Sequence, residues 1–471
     1  MKKDDTLDIK ISGLNSEGKG IARTDEGFVI FIPHTLPGDT AKIKIKKKKS
    51  NYADADLIEI IEKSKDRIEP QCKHFGVCGG CKIQNYDYQK QIDFKSRTVR
   101  DALKKIGGFE DLNIPEALHS EELYYYRNKM EYSFSTDEWV ENINSAEKSN
   151  FALGLHVPGL HSKILNISEC WLQSKLSSDV LNFTRDFFKS KNISIYTTRT
   201  HEGFLRFLII RQCKNTDDIM VNIVTYEYDE NLIKTYTSEL LNLFPEITTV
   251  VNSFSQKKAQ VAFGESSINT FGRGCIFEEL KNGGNIYKFK ISPNSFFQTN
   301  TIQAEKLYSI ADGFLELNKS DKILDLYCGA GSITLFVSHK VNKICGVEII
   351  PDAIENAIEN AELNNVRNSE FILSDIKDYT ETIIRNHEYI DYNKVILDPP
   401  RSGLHPEICN ILSESNFEKI CYISCNTVTQ ARDLKIICGK GNYRIENIQP
   451  VDMFPQTYHI ENVVSLSGYK N

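Results

Sequence analysis

Four stretches of this chain carry residue types that could do chemistry. Ser424-Cys425-Asn426-Thr427 sets a thiol just past the apolar run Lys419–Ile423 and ahead of a helix expected to open near Val428. A helix N-terminus stabilises a thiolate, so Cys425 is a candidate nucleophile. Asp398-Pro399-Pro400-Arg401 follows the apolar run Lys394–Leu397, and its two prolines fix the backbone that aims Asp398. The segment Asp452-Met453-Phe454-Pro455-Gln456-Thr457-Tyr458-His459-Ile460-Glu461 places a carboxylate in front of the strand Val463–Leu466, and its His459 alone reads as structural. Asp325-Leu326-Tyr327-Cys328-Gly329-Ala330-Gly331 follows the strand Lys322–Leu326, where glycines let the backbone turn tightly and approach a ligand. Glu348 ends the next strand, at the spacing of an acid that binds ribose hydroxyls, and Asp375 follows the third strand. Together they imply an adenosine-bearing cofactor. Thr334 stands where the dinucleotide fingerprint has its third glycine, which favours a cationic cofactor, S-adenosylmethionine, over a pyrophosphate.

A separate cluster, Cys72, Cys78 and Cys81, spaced C-x5-C-x2-C around Gly79-Gly80, lets three thiolates converge on one metal site. Cys170 is the expected fourth ligand. Its rival Cys213 directly follows an apolar strand and reads as core. Four cysteines suit Zn²⁺ or an iron–sulfur cluster, and spacing alone leaves both open.

These groups need elements to hold them. From about Pro293, strands alternate with helices: Lys322–Leu326, Lys343–Val347, helix Pro351–Asn364, Glu370–Leu373, helix Tyr379–Arg385, Lys394–Leu397, a helix near Pro406–Ser413 and Lys419–Ile423. That rhythm gives right-handed βαβ units and a mostly parallel, doubly wound sheet, whose ligands bind at the carboxyl ends of its strands. Residues 291–471 are therefore expected to form an α/β catalytic domain. Residues 1–64 read as a small β-barrel, with Lys46-Lys47-Lys48-Lys49 at the tip of a strand. Residues 65–290 read as a central α+β domain with strand-like runs at Phe204–Gln212 and Met220–Thr225 and a polar loop at 145–150. After the cysteines, Tyr88, Ile92, Val99, Leu103 and Ile106 recur at helical spacing. Lys90, Lys95, Arg97, Arg100 and Lys104 are expected to cover the other faces, and Gly107-Gly108 to stop the helix.

Composition bounds the rest. The chain has 471 residues, 57 Lys+Arg and 64 Asp+Glu, a net charge of −7 and 12 Cys. This is globular composition with room for several cores, and it excludes disordered and fibrous classes. No apolar run approaches the roughly 18–20 residues of a membrane span, and no apolar stretch follows Met1-Lys2-Lys3-Asp4-Asp5 as a secretory signal would. The expected setting is cytoplasmic, without structural disulfides, membrane partners or, by default, a second subunit.

With these motifs in order, the sequence closely resembles the S-adenosylmethionine-dependent RNA uracil-5-methyltransferases. Phe296-Phe297-Gln298-Thr299-Asn300, the Asp325–Gly331 turn, Asp398-Pro399-Pro400-Arg401-Ser402-Gly403, Ser424-Cys425-Asn426 and the Asp452–Glu461 segment carry the resemblance, with Tyr126-Arg127-Asn128-Lys129 in the centre. The barrel resembles a TRAM domain, an RNA-binding module. The resemblance implies that Gln298, Tyr327, Glu348 and Asp398 contact the cofactor, that Cys425 attacks C6 of uracil, and that Glu461 removes the C5 proton. It implies a 4Fe–4S cluster on Cys72, Cys78, Cys81 and Cys170, and a weaker RNA contact at Arg127. The barrel together with the cysteines resembles the branch acting on 23S rRNA more than the branch acting on tRNA. Two rival readings are another methyl acceptor and a non-catalytic RNA-binding assembly factor. Amine methylases usually place an aromatic after Asp-Pro-Pro, whereas Arg401 follows here. An intact Cys425 and Glu461 speak against the second rival.

Overall fold

The computed structural model describes residues 1–140, 149–385 and 391–469. Positions 145–148 of the expected polar loop lie outside the described residues. The first five strands, β1 (Thr6–Leu14), β2 (Gly20–Arg23), β3 (Val29–Ile32), β4 (Thr40–Lys48) and β5 (Tyr52–Glu62), close into a barrel of order β1-β2-β3-β5-β4. In β4 the period of two sends Ala41, Ile43 and Ile45 into the barrel core and Lys42, Lys44 and Lys46 outward. Lys42 and Lys46 pair across the strand with Glu59 and Asp56, so the basic edge is partly neutralised.

Helix α1 (Tyr88–Ala102) continues as a single π-helical turn, Leu103–Gly107, and stops where Gly108 takes φ +78°. Ile92, Val99 and Leu103 are buried as expected. Lys95 corrects the expected pattern. It is fully buried, and its ammonium donates to Asp452 Oδ1 at 2.5 Å and to the Phe454 carbonyl at 3.0 Å. The basic face is therefore narrower, with Arg97 and Arg100 exposed on it.

The central sheet has the order β12-β11-β10-β9-β6-β7-β8, formed by β6 (Lys129–Ser135), β7 (Ala152–Val157), β8 (Leu160–Asn166), β9 (Leu205–Gln212), β10 (Ile219–Thr225), β11 (Thr249–Phe254) and β12 (Ser266–Phe271). Helices α2 (Lys175–Ser190) and α3 (Glu230–Leu243) pack their apolar stripes on it through Phe188 and Tyr236. A hairpin, β13 (Ile276–Asn282) and β14 (Asn285–Ile291), turns at Gly283-Gly284, both at positive φ as a two-residue hairpin turn requires.

The C-terminal sheet contains β15 (Lys322–Leu326), β16 (Lys343–Glu348), β17 (Ser369–Leu373), β18 (Lys394–Leu397), β19 (Lys419–Ser424), β20 (Tyr443–Val451) and β21 (Glu461–Gly468). Its order is β17-β16-β15-β18-β19-β21-β20, parallel through β19, with β21 antiparallel to both neighbours. One face packs against α1, α8 (Pro406–Glu414) and α9 (Thr427–Cys438). The other packs against the hairpin, α4 (Thr301–Leu315) and α5 (Ser332–Ser338), with α6 (Pro351–Leu363) at its edge. Residues before 291 thus supply core to both faces. Helix α7 (Ile376–Arg385) follows β17. Among the described residues no helix is long and apolar enough to cross a membrane.

Candidate active site and cysteine pocket

The chain runs outward from β15 through β16 to β17, then returns to pair β18 against the other side of β15. Strand order reverses between β15 and β18, which stay paired to their ends, so the segments that follow them leave for opposite faces of the sheet and open a crevice there. Tyr327, at φ +71°, and Asp398 stand on its two sides.

The turn after β15 is held by hydrogen bonds from the Tyr327 and Cys328 amides to the Val347 carbonyl, 3.0 and 3.1 Å. Glu348 accepts from the amides of Gly329, 3.2 Å, Ile349, 2.7 Å, and Ile350, 3.0 Å, and so ties the turn to the end of β16. Gly331 takes φ +78°, and a Cβ there would meet Ala357 and Phe371 at 3.2 Å. Thr334, in the place of a third glycine, donates its hydroxyl to Asp325 Oδ2 at 2.5 Å. Asp325 is buried, and its Oδ1 has no partner among the described residues. Burial pushes the Asp325 and Asp398 carboxyls up to about 7. An unpartnered buried oxygen and two desolvated acids around a crevice fit a cationic ligand.

The Gln298 side chain lies near the hydroxyl of Tyr308, which bonds Ser332 at 3.1 Å. Its backbone is pinned from the centre of the chain, because Asn128 Nδ2 donates to the Gln298 carbonyl at 2.8 Å. Asp375 is exposed, and its Oδ1 caps α7 through the amides of Lys377, 2.8 Å, and Asp378, 3.3 Å. Phe297 is core, while the neighbouring Phe296 is 73% exposed.

Antiparallel register assembles the candidate reactive pair. Ser424 faces Asn462 across β19 and β21, so one step further Cys425 and Glu461 face each other at the end of the sheet. Asn426 caps α9 directly behind Cys425 by accepting from the amides of Val428 and Thr429. Burial and the neighbouring Glu461 push the Cys425 thiol up to about 11, and the nearby Arg401 guanidinium opposes them. Burial and Asp398 raise Glu461 well above the ordinary carboxylate range, again against Arg401. Burial, Arg401, Lys95 and Arg127 pull His459 down to about 4, so its imidazole is neutral at pH 7. Arg401 is held by its own carbonyl, which accepts from Asn426 Nδ2 at 2.9 Å and Thr429 Oγ1 at 3.3 Å. Arg401 was visible in sequence only as the residue after two prolines; its charge beside Cys425 joins two separate motifs.

The loop between β20 and β21 is fastened from the N-terminal half. Asp452 receives Lys95 and the Tyr88 hydroxyl, 3.0 Å. The Gln91 side chain bonds Gln456 in both directions, at 3.0 Å each. The amides of Lys82 and Ile83 donate to the Gln456 carbonyl at 3.0 and 3.2 Å, and the Tyr126 hydroxyl donates to the Pro455 carbonyl at 3.0 Å.

Cys72, Cys78, Cys81 and Cys170 come together around one cavity of about 570 Å³. The cavity also touches Arg127, Trp171, Phe296 and Thr299, so it borders the Gln298 segment. Burial raises all four thiols, Cys78 to about 11, and Cys78 and Cys81 are raised further by the other cysteines. Gly79 lies against the His156 carbonyl, which a Cβ would meet at 2.6 Å. Cys213 is buried core. Among the described residues no three His, Cys, Asp or Glu side chains converge closely enough to hold one metal ion.

Known proteins share this architecture. Residues 221–468 match the family described as tRNA (Uracil-5-)-methyltransferase, and residues 3–58 match the TRAM domain. An uncharacterized RNA methyltransferase of Bacteroides thetaiotaomicron is 39% identical over 460 residues, 96% of this chain and 99% of the relative. Another, from Chlorobaculum tepidum, is 38% identical and covers 98% of this chain and 96% of the relative. The crystal structure of Pyrococcus abyssi tRNA (uracil-54, C5)-methyltransferase in complex with S-adenosyl-L-homocysteine is similar over 98% of this chain and 100% of that one, with 28% identity and a TM-score of 0.73. The chain belongs to the RNA uracil-5-methyltransferase family, S-adenosylmethionine-dependent enzymes, and carries an N-terminal TRAM domain.

Proposed function

We propose that this enzyme methylates C5 of a uridine in 23S rRNA through a covalent bond between Cys425 Sγ and C6 of the base. The observation that carries the mechanism is the facing pair Cys425 and Glu461, with Asp398 and Arg401 beside it. S-adenosylmethionine supplies an electrophilic methyl group. Gln298, Tyr327, Glu348 and Asp398 line its crevice, and the free oxygen of Asp325 suits its cationic end. Asp375 borders the same end of the sheet, with one oxygen engaged in its helix cap.

Uracil C5 is a weak nucleophile. Addition of the Cys425 thiolate to C6 breaks the C5–C6 π bond and moves its electrons toward the C4 carbonyl. C5 becomes an enolate carbon that can accept a methyl group. Arg401 favours the thiolate that starts this sequence. Glu461 then takes the C5 proton, the double bond re-forms and the thiolate leaves. A carboxyl raised by burial is a stronger base once ionised, which suits removal of a proton from carbon. The uridine must leave its stack to reach this site.

Cys72, Cys78, Cys81 and Cys170 would hold the 4Fe–4S cluster. Four thiols around a roomy cavity suit a polynuclear group better than one ion, and the cations would stabilise thiolates that burial disfavours. The cluster would brace the segment that touches Gln456, outside the methyl-transfer chemistry. A barrel joined to a cysteine cluster supports the ribosomal substrate. The full-length likeness to a tRNA-modifying enzyme favours tRNA as the second reading.

The test is methyl transfer from labelled S-adenosylmethionine to unmodified 23S rRNA and tRNA, offered separately and digested to nucleosides. Labelled 5-methyluridine from the ribosomal RNA alone is expected. Label only from tRNA establishes the second reading.

A further inference from the structure

Next to the cysteine cavity the fold exposes an aromatic pair that the methylation chemistry does not use. Tyr125 adopts φ +55°, a region that bulky side chains rarely enter and that marks functional constraint when the surroundings enforce it. Here they do. The Tyr125 amide donates to the Trp171 carbonyl at 2.8 Å, the Arg127 amide to the Leu172 carbonyl at 2.8 Å, and Lys214 Nζ to the Tyr125 carbonyl at 2.9 Å. The Tyr125 ring lies over Trp171 with centroids 5.6 Å apart and planes at 29°, and Tyr124 meets the same indole edge-on at 5.8 Å. Tyr125 is nevertheless 41% exposed.

Cations accompany the rings. A cavity of about 320 Å³ opens beside them, lined by Tyr125, Arg127, Ser174, Lys175, Gln212 and Lys214. Lys214 is paired with Glu122 at 2.8 Å, but no ion pair is formed by Arg127 or the exposed Lys175 among the described residues. The patch is also rigidly linked to the reaction centre. Tyr126, between Tyr125 and Arg127, is fully buried and holds the Pro455 carbonyl of the loop that leads to Glu461.

A rigid aromatic surface flanked by unpaired cations matches an unstacked base on a phosphate chain. We propose that Tyr125 and Trp171 form a stacking platform for one nucleotide flanking the target uridine, with Arg127 and Lys175 facing its phosphates. This rests on RNA being the substrate, and the test separates the two claims. The chain has two tryptophans, so a Trp139→Phe background leaves Trp171 as the reporter. Oligouridylate of about twelve nucleotides should quench Trp171 fluorescence, whereas an abasic strand of equal charge should not. Tyr125→Gly, which suits the positive φ and so preserves the fold, should weaken oligouridylate binding about tenfold without altering its salt dependence. Lys175→Ala should instead lower the slope of log affinity against log salt by about one. Equal quenching by both strands, or unchanged oligouridylate affinity in Tyr125→Gly, would overturn the platform. Base-dependent quenching by a protein that transfers no methyl to uridine would support the platform and count against the catalytic reading alone.

Discussion

Lys95→Met is the substitution whose consequence can be worked furthest. Lys95 and Asp452 are both 0% exposed and meet at 2.5 Å, across 357 residues of sequence. Breaking a buried ion pair from one side costs about 3–5 kcal/mol, because the remaining charge stays desolvated. Asp452 would keep two donors, the Tyr88 hydroxyl at 3.0 Å and the Phe454 amide at 3.1 Å, which puts the loss near the lower end, about 3 kcal/mol. The Phe454 carbonyl would lose its donor as well, adding about 1 kcal/mol. A total of about 4 kcal/mol is a large part of the roughly 5–15 kcal/mol that holds a domain folded. The same change frees the start of the loop that ends at Glu461. Displacement by about 1 Å at a reacting group can lower the rate about a hundredfold. Urea unfolding would measure the first effect, and single-turnover methyl transfer at saturating RNA the second. The double variant Lys95→Met/Asp452→Asn should recover more than half of the lost stability, because no buried charge then remains unpaired. A loss below about 1 kcal/mol, or full destabilisation with an unchanged rate, would refute the view that this pair positions the catalytic loop.

Three further outcomes follow from the site. Arg401→Ala should raise the Cys425 thiol above its present value of about 11, since the guanidinium favours the thiolate. The pH profile of adduct formation should then move to higher pH, and activity at neutral pH should fall about tenfold for each pH unit the profile moves; a profile that stays in place would remove Arg401 from nucleophile activation. Asp325 and Asp398 lie at about 7, raised by burial, so both gain protons as pH falls through neutrality and lose their attraction for a cation. S-adenosylmethionine affinity, followed by calorimetry, should fall below pH 7 and level off above it, and Asp398→Asn should flatten the curve; affinity independent of pH in the parent enzyme would contradict this. The proposed cluster predicts iron and sulfide bound to the parent enzyme purified without oxygen and lost together in Cys170→Ser; their absence from the parent would exclude the cluster, and their retention in the variant would exclude Cys170 as a ligand.

The sequence made the strand ends legible because βαβ periodicity is local. It placed β15 at Lys322–Leu326 and β18 at Lys394–Leu397, and the chemistry-bearing residues followed from the rule that ligands bind beyond the carboxyl ends. Strand β20 was not legible. A register shift between Ile445 and Asn447 breaks its alternation, and Pro450 is tolerated because β20 is an edge strand. Lys95 fell on the wrong face because helical periodicity sorts charges toward water, and its partner lies in another motif at the far end of the chain. Asn128, Gln91 and Arg401 share that difficulty: each acts through a contact that only the folded topology brings within reach. Cys72, Cys78 and Cys81 were legible as a group because they lie close together in the chain; the cavity they line with Cys170 is a property of the fold.

Covalent catalysis is tested most directly by incubation with S-adenosylmethionine and substrate RNA in which 5-fluorouridine replaces uridine. Fluorine at C5 cannot be removed as a proton, so the enzyme should stall after methyl transfer. The expected product is a protein–RNA adduct that survives denaturation, maps to Cys425 and is absent in Cys425→Ala. RNA that is bound, with its unsubstituted form methylated, yet gives no such adduct would contradict covalent catalysis by Cys425.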